Sequence, residues 1–76
     1  MTLLFPLSEA AESLTVTINS MAVSAQLQLK LLAMGIGLGS MIQILKNRKG
    51  DVVLSKGHCR IGLGRNISQQ LFVEMI

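Results

Sequence analysis

The chain of 76 residues has no tryptophan and no tyrosine, two phenylalanines, and one each of cysteine, histidine and proline. Each scarcity closes a class of function. One cysteine cannot form an internal disulfide, and Cys59 with His58 falls short of the ligand set of a zinc site. Neighbouring strand residues also point to opposite faces, so these two cannot grip one ion. A single histidine leaves no Ser-His-Asp or Cys-His arrangement to propose. Glu9, Glu12, Asp51 and Glu74 are scattered, without the pairing that acid–base chemistry needs. The near absence of aromatic residues removes the stacking platforms that bind single-stranded nucleic acid, for which Phe72 alone is thin support. No enzymatic activity, bound metal, cofactor or nucleic-acid partner is therefore expected.

Long unbroken apolar runs are also missing. The stretch 27–45 comes nearest, but Gln28, Lys30, Ser40, Gln43 and three alternate-position glycines interrupt it. A charge at mid-bilayer costs about 2.5–3.5 kcal/mol, so no spanning helix and no membrane insertion are expected. Residues 3–7 lack the basic start and long apolar region of a signal peptide. The expectation is a cytoplasmic protein, which suits an unpaired cysteine.

What is present is aliphatic. Half of the residues are hydrophobic, so the core must be built from Leu, Ile, Val and Met. A chain this short leaves some of that apolar surface outside, where it marks contact sites. The net charge is +3. Lys46, Arg48, Lys49, Lys56, Arg60 and Arg65 lie in the second half, opposed there by Asp51 and Glu74. They read first as a solvated face, and beyond that as an attraction for acidic protein, nucleic acid or anionic lipid.

Residues 3–12 read as an extended lead-in, with Pro6 excluding a long helix. Leu14 to Asn19 alternates apolar and polar, the pattern of a half-buried strand with Leu14, Val16 and Ile18 inward. Ser24 is a helix N-cap, and the helix runs over about residues 24–34 with Leu27, Leu31 and Met34 on its core face. Gly35 closes it in the left-handed conformation, and Gly39 makes the sharp turn into the next strand. That strand, Met41 to Lys46, turns Ile42 and Ile44 inward. A polar turn at 47–51 leads to a strand over 51–55, and Lys56-Gly57 makes a second tight turn. Alternation then sends Cys59, Ile61 and Leu63 inward, with His58 and Arg60 outward. Residues 65–70 form a short helical turn before the last strand, which buries Leu71 and Val73. About five short strands with one inserted helix favour a small curled β-barrel in a single domain over residues 1–76.

Gly35-x-Gly37-x-Gly39 is not a phosphate loop. Phosphate-binding glycines follow a strand and open a helix, whereas these follow a helix and open a strand. The outer helix face at Ala25, Gln26, Leu29 and Ala33 carries no charge, with Lys30 at its margin, and an ordinary surface helix would carry several. It is a candidate docking surface. A second is the outer side of the sheet around Met41, Leu45, Val53 and Phe72. Either patch could also pair with another copy of the chain.

The pattern Leu31-Leu32-x-Met34-Gly35-Ile36-x-x-Gly39 resembles the Leu-Leu-x-Leu-Gly-Leu-x-Pro-Gly signature of the FeoA family. Gly50-Asp51, Ile61-x-Leu63-x-Arg65 and Leu71-x-Val73 follow in that family's order. Leu38 stands where the family usually has proline, so the turn falls to Gly37 and Gly39. The stretch after Gly50-Asp51 is shorter than usual. The resemblance implies an SH3-like barrel and a cytosolic accessory role in ferrous iron uptake. That role would be exercised by contact with the FeoB transporter at the inner face of the membrane, with no iron bound. The related alternative is the SH3-like domain of a metal-dependent transcriptional repressor, and the unrelated one a small nucleic-acid-binding barrel.

Overall fold

Alternating sequence becomes strand here wherever one face can be buried. The computed structural model describes residues 3–75. Its strands are β1 (Leu4–Pro6), β2 (Thr15–Met21), β3 (Met41–Arg48), β4 (Asp51–Lys56), β5 (Cys59–Leu63) and β6 (Leu71–Met75). Helix α1 (Ala25–Ala33) joins β2 to β3, and a one-turn helix α2 (Arg65–Ser68) joins β5 to β6. A 3-10 turn, Leu7–Glu9, follows β1. All pairings are antiparallel, in the order β1-β6-β2-β3-β4-β5.

Two expectations about the sheet change. The sheet has six strands, because residues 4–6 pair with β6 where a lead-in was expected. Three residues show no periodicity, and Pro6 has no N–H to donate. It is tolerated because β1 lies at the sheet edge. The sheet is also not closed into a barrel, since β1 and β5 each pair on one side only. The arrangement remains consistent with an SH3-like fold.

Val16, Ile18, Leu31, Ile42, Ile44, Ile61, Leu63, Leu71 and Val73 are buried as expected. Leu14 and Leu27 are half-buried and pack against that core. Leu7, Ala10, Ile36, Val52 and Leu54 complete it; Val52 and Leu54 flank Val53 on β4, on the face opposite to the one expected for Val53. Met34 is exposed, not core: it is the residue on which α1 ends, and the chain turns inward only at Ile36. Cys59 is exposed as well. It opens β5 beside the Gly57-His58 turn, so alternation aims it past the margin of the core.

Candidate functional site

Helix α1 is delimited by its own sequence at both ends. The Ser24 side chain accepts the Leu27 N–H at 3.2 Å, which satisfies an amide the helix leaves free. At the other end Gly35 takes φ 89°. Its N–H reaches the Leu32 carbonyl at 2.9 Å, and the Ile36 N–H reaches the Leu31 carbonyl at 2.8 Å. This pair of bonds is the Schellman motif, with its customary apolar partners Leu31 and Ile36 both buried. The Lys56 ammonium donates to the Gly35 carbonyl and places a positive charge at the negative end of the helix.

The chain then makes one more turn. Ser40 N–H donates to the Gly37 carbonyl at 3.1 Å, and Gly39 has φ 84°. A positive φ at the third position is the mark of a type II turn, in which proline suits the second position. Leu38 occupies that second position and is 70% exposed. Gly39 alone supplies the left-handed residue. Gly37 contributes closeness, since a Cβ there would stand 3.0 Å from Leu32 Cδ1.

Between α1 and this turn lies an open apolar groove of about 360 Å³, lined by Met21, Ala25, Gln28, Leu29, Leu32, Ile36, Gly37 and Leu38. Of the helix residues proposed from sequence, Ala25 and Leu29 line it. Gln26 and Lys30 instead border a separate hollow with Ser24 and Leu27. Ala33 is exposed at the end of the helix. Leu32 and Leu38 were not foreseen, yet both are more than half exposed. Leu32 follows Leu29 by three residues on the same helical face, a spacing that sequence does show. Leu38 could be placed only once the turn geometry was known.

The second proposed patch is dispersed. Met41 is exposed, while Leu45, Val53 and Phe72 are half-buried. Leu45 is the extra residue of a β-bulge between Ile44 and Lys46 and borders a hollow with Ser55, His58 and Arg60. Val53 faces another, with Lys46 and Gly62. Phe72 lies on β6, paired with Ser20 and Pro6.

A polar junction sits at the β3–β4 hairpin. Lys49 and Gly50 have φ 55° and 97°, the two positive values of a type I′ turn. Asp51 Oδ1 accepts the Arg65 N–H at 2.9 Å and so serves the first turn of α2, whose own N-cap is Gly64. The buried Ser68 hydroxyl donates to the Gly50 carbonyl. Asn47 ties the hairpin to the N-terminal turn. Its amide donates to the carbonyls of Ser8 and Ala10 at 2.9 and 2.8 Å, and its Oδ1 accepts the Gly50 N–H at 2.9 Å. Among the described residues, no three His, Cys, Asp or Glu side chains gather as metal ligands. No described helix is long and apolar enough to cross a membrane.

The model of the FeoA domain matches residues 5–75. The chain belongs to the FeoA family. No curated protein matches it in sequence. Among solved structures it is similar to an iron uptake regulatory protein, FeoA, at 24% identity and TM-score 0.87, over 97% of this chain and 100% of that one. It is similar to iron(II) transport protein A from Clostridium thermocellum at 26% identity and TM-score 0.84, over 95% of this chain and 46% of that one. A manganese-dependent transcriptional repressor aligns at 19% identity and TM-score 0.88, over all of this chain but 44% of its own. That last likeness is one of fold. In this FeoA-family chain the residues that resemble the family signature are the backbone junctions described above. Leu31, Gly35 and Gly39 set the exit of α1, while Gly50, Asp51 and Arg65 join the hairpin to α2.

Proposed function

We propose that this chain is a non-enzymatic accessory protein of ferrous iron uptake, acting by contact with the cytosolic side of the FeoB transporter. The family match across residues 5–75 carries this reading. The α1 groove supports it, because exposed leucines grouped on a small domain are the usual mark of a protein contact. In this reading residues 1–76 act as one SH3-like domain that needs no cofactor. It resides in the cytoplasm and reaches the membrane through its partner. Ala25, Leu29, Leu32 and Leu38 form the centre of the contact, with Gln26, Lys30 and Ala33 at its margin. Met41, Leu45, Val53 and Phe72 are a secondary surface.

The test is co-purification of full-length FeoB with the tagged protein, in mild detergent with nucleotide present. Wild type is expected to retain the transporter and Leu29→Glu to lose it, while both melt at the same temperature. Failure of the wild type to retain FeoB removes the accessory reading. The fold match to the manganese-dependent repressor favours a second reading, in which the chain is the SH3-like domain of a metal-dependent repressor. Retention of repressor domains in place of FeoB in the same experiment would select it.

A further inference from the structure

Strand β5 is an open edge, and its two faces differ in chemistry. Lys56 and Cys59 pair directly across the two-residue Gly57-His58 turn, and β4 and β5 continue in register without a bulge to Val52 and Leu63. In such a hairpin the residues of alternate pairs exchange both hydrogen bonds. The pairs closed towards β4 are then Lys56–Cys59, Leu54–Ile61 and Val52–Leu63. Arg60 and Gly62 consequently turn their N–H and C=O groups away from β4. Among the described residues neither has another backbone partner.

The core is thinnest along the same strand. Ile61 and Leu63 keep 8% and 5% of their surface exposed, while every other buried hydrophobic residue described is at 1% or less. On the outer face, the pairings set Lys46, Val53 and Gly62 in one row across β3, β4 and β5, with Arg48 beside Asp51 and Arg60 beside Ser55. A Cβ added at Gly62 would meet nothing within 4 Å. The space there is a furrow of about 460 Å³, bordered by Lys46, Arg48, Asp51, Val53, Gly62 and Gly64. Two cations, Lys46 and Arg48, border the furrow against one acid, and Arg60 stands on the same face of β5 beside a neighbouring hollow. One oxygen of that acid is already held by the Arg65 N–H.

We propose that β5 accepts an extended acidic segment of a partner protein as an added strand. Its backbone pairs with Arg60 and Gly62. Its acidic side chains lie over Gly62 among Lys46, Arg48 and Arg60, and its alternate apolar side chains extend the core beside Ile61 and Leu63. Strand addition of this kind draws affinity from main-chain bonds and selectivity from alternate side chains. A second copy of the chain fits less well, because edge-to-edge pairing would bring two sets of these cations together. The proposal does not rest on the FeoB reading, since it identifies the segment by its chemistry alone.

The experiment uses the full-length, isotopically labelled protein and an acetylated, amidated peptide of alternating Glu and Val. Amide exchange at Arg60 and Gly62 is expected to slow roughly tenfold or more at saturating peptide, with shift changes confined to β4 and β5. Arg60→Glu and Lys46→Glu, both at exposed positions, are each expected to weaken binding while the protein melts as wild type does. The same peptide N-methylated at alternate residues, which keeps its charge but loses its donors, is expected not to bind. Equal binding of the methylated peptide, equal binding of a Lys-Val peptide, or no response at millimolar peptide would overturn the proposal. So would protection of Arg60 and Gly62 that rises with protein concentration alone, which would assign the edge to a second copy.

Discussion

Asn47 does more for this molecule than its place in a polar turn indicates. Its side chain holds the carbonyls of Ser8 and Ala10 and the N–H of Gly50, and so joins segments far apart in sequence. With each bond worth about 1 kcal/mol net, Asn47→Ala is expected to cost about 2–3 kcal/mol. The denaturant midpoint should fall with an unchanged slope. Leu38 points the other way. It sits where a type II turn favours proline, and no hydrogen bond among the described residues engages its amide. Leu38→Pro is expected to stabilise the fold by about 0.4–1 kcal/mol by restricting the unfolded chain, seen as a higher melting temperature. Cys59 corrects an expectation from alternation. Its thiol is open to solvent and should react with a water-soluble disulfide reagent as fast in the native protein as in the denatured one.

At the scale of elements, the two glycine junctions differ in what they require. Gly35 needs only its dihedral: an added Cβ would meet Lys56 Nζ at an ordinary 3.5 Å. Gly35→Ala is therefore expected to cost about 1–2 kcal/mol, the strain of a left-handed L-residue, and Gly35→Asn less. Gly50 combines φ 97° with a Cβ position 2.5 Å from Arg65 Cγ. Gly50→Ala must strain the turn and displace Arg65 as well, so its loss in a thermal melt should exceed that of Gly35→Ala. The ends of α1 were legible in sequence because caps are local: Ser24 and Gly35 act on amides and carbonyls within a few residues. The face of α1 was only partly legible. The wheel set Leu29 on the outer face, where it is exposed, but it put Met34 in the core and gave Leu32 no face.

At the scale of the molecule, the chain has more apolar side chains than so small a fold can bury. Leu29, Leu32 and Leu38 remain exposed together beside α1. Exposed side chains away from caps and cavities contribute little to stability. Leu29→Glu and Leu32→Ser are each expected to change it by less than about 0.5 kcal/mol. Loss of FeoB retention in Leu29→Glu without a change in melting would then report a contact, and unfolding would show that Leu29 belongs to the core.

The sequence by itself determined what is local or periodic. It specified the helix and its two ends, the alternation of β2, β3 and β6, and the short helix before the last strand. The polar hairpin turn at 47–51 and the junction motifs that resemble FeoA were equally readable, because each depends on neighbours a few residues away. The turn's type I′ form at Lys49-Gly50 came from the structure. Tertiary structure decided what depends on distant partners. It recruited residues 4–6 as a sixth strand against β6 and left the sheet open at β5. It set Ile36 and Leu7 in the core while Met34 and Cys59 stayed outside. It also assembled a groove from a helix face and a turn that share no periodicity. Burial and edge pairing are properties of what packs alongside a residue, and no window of sequence contains that neighbour.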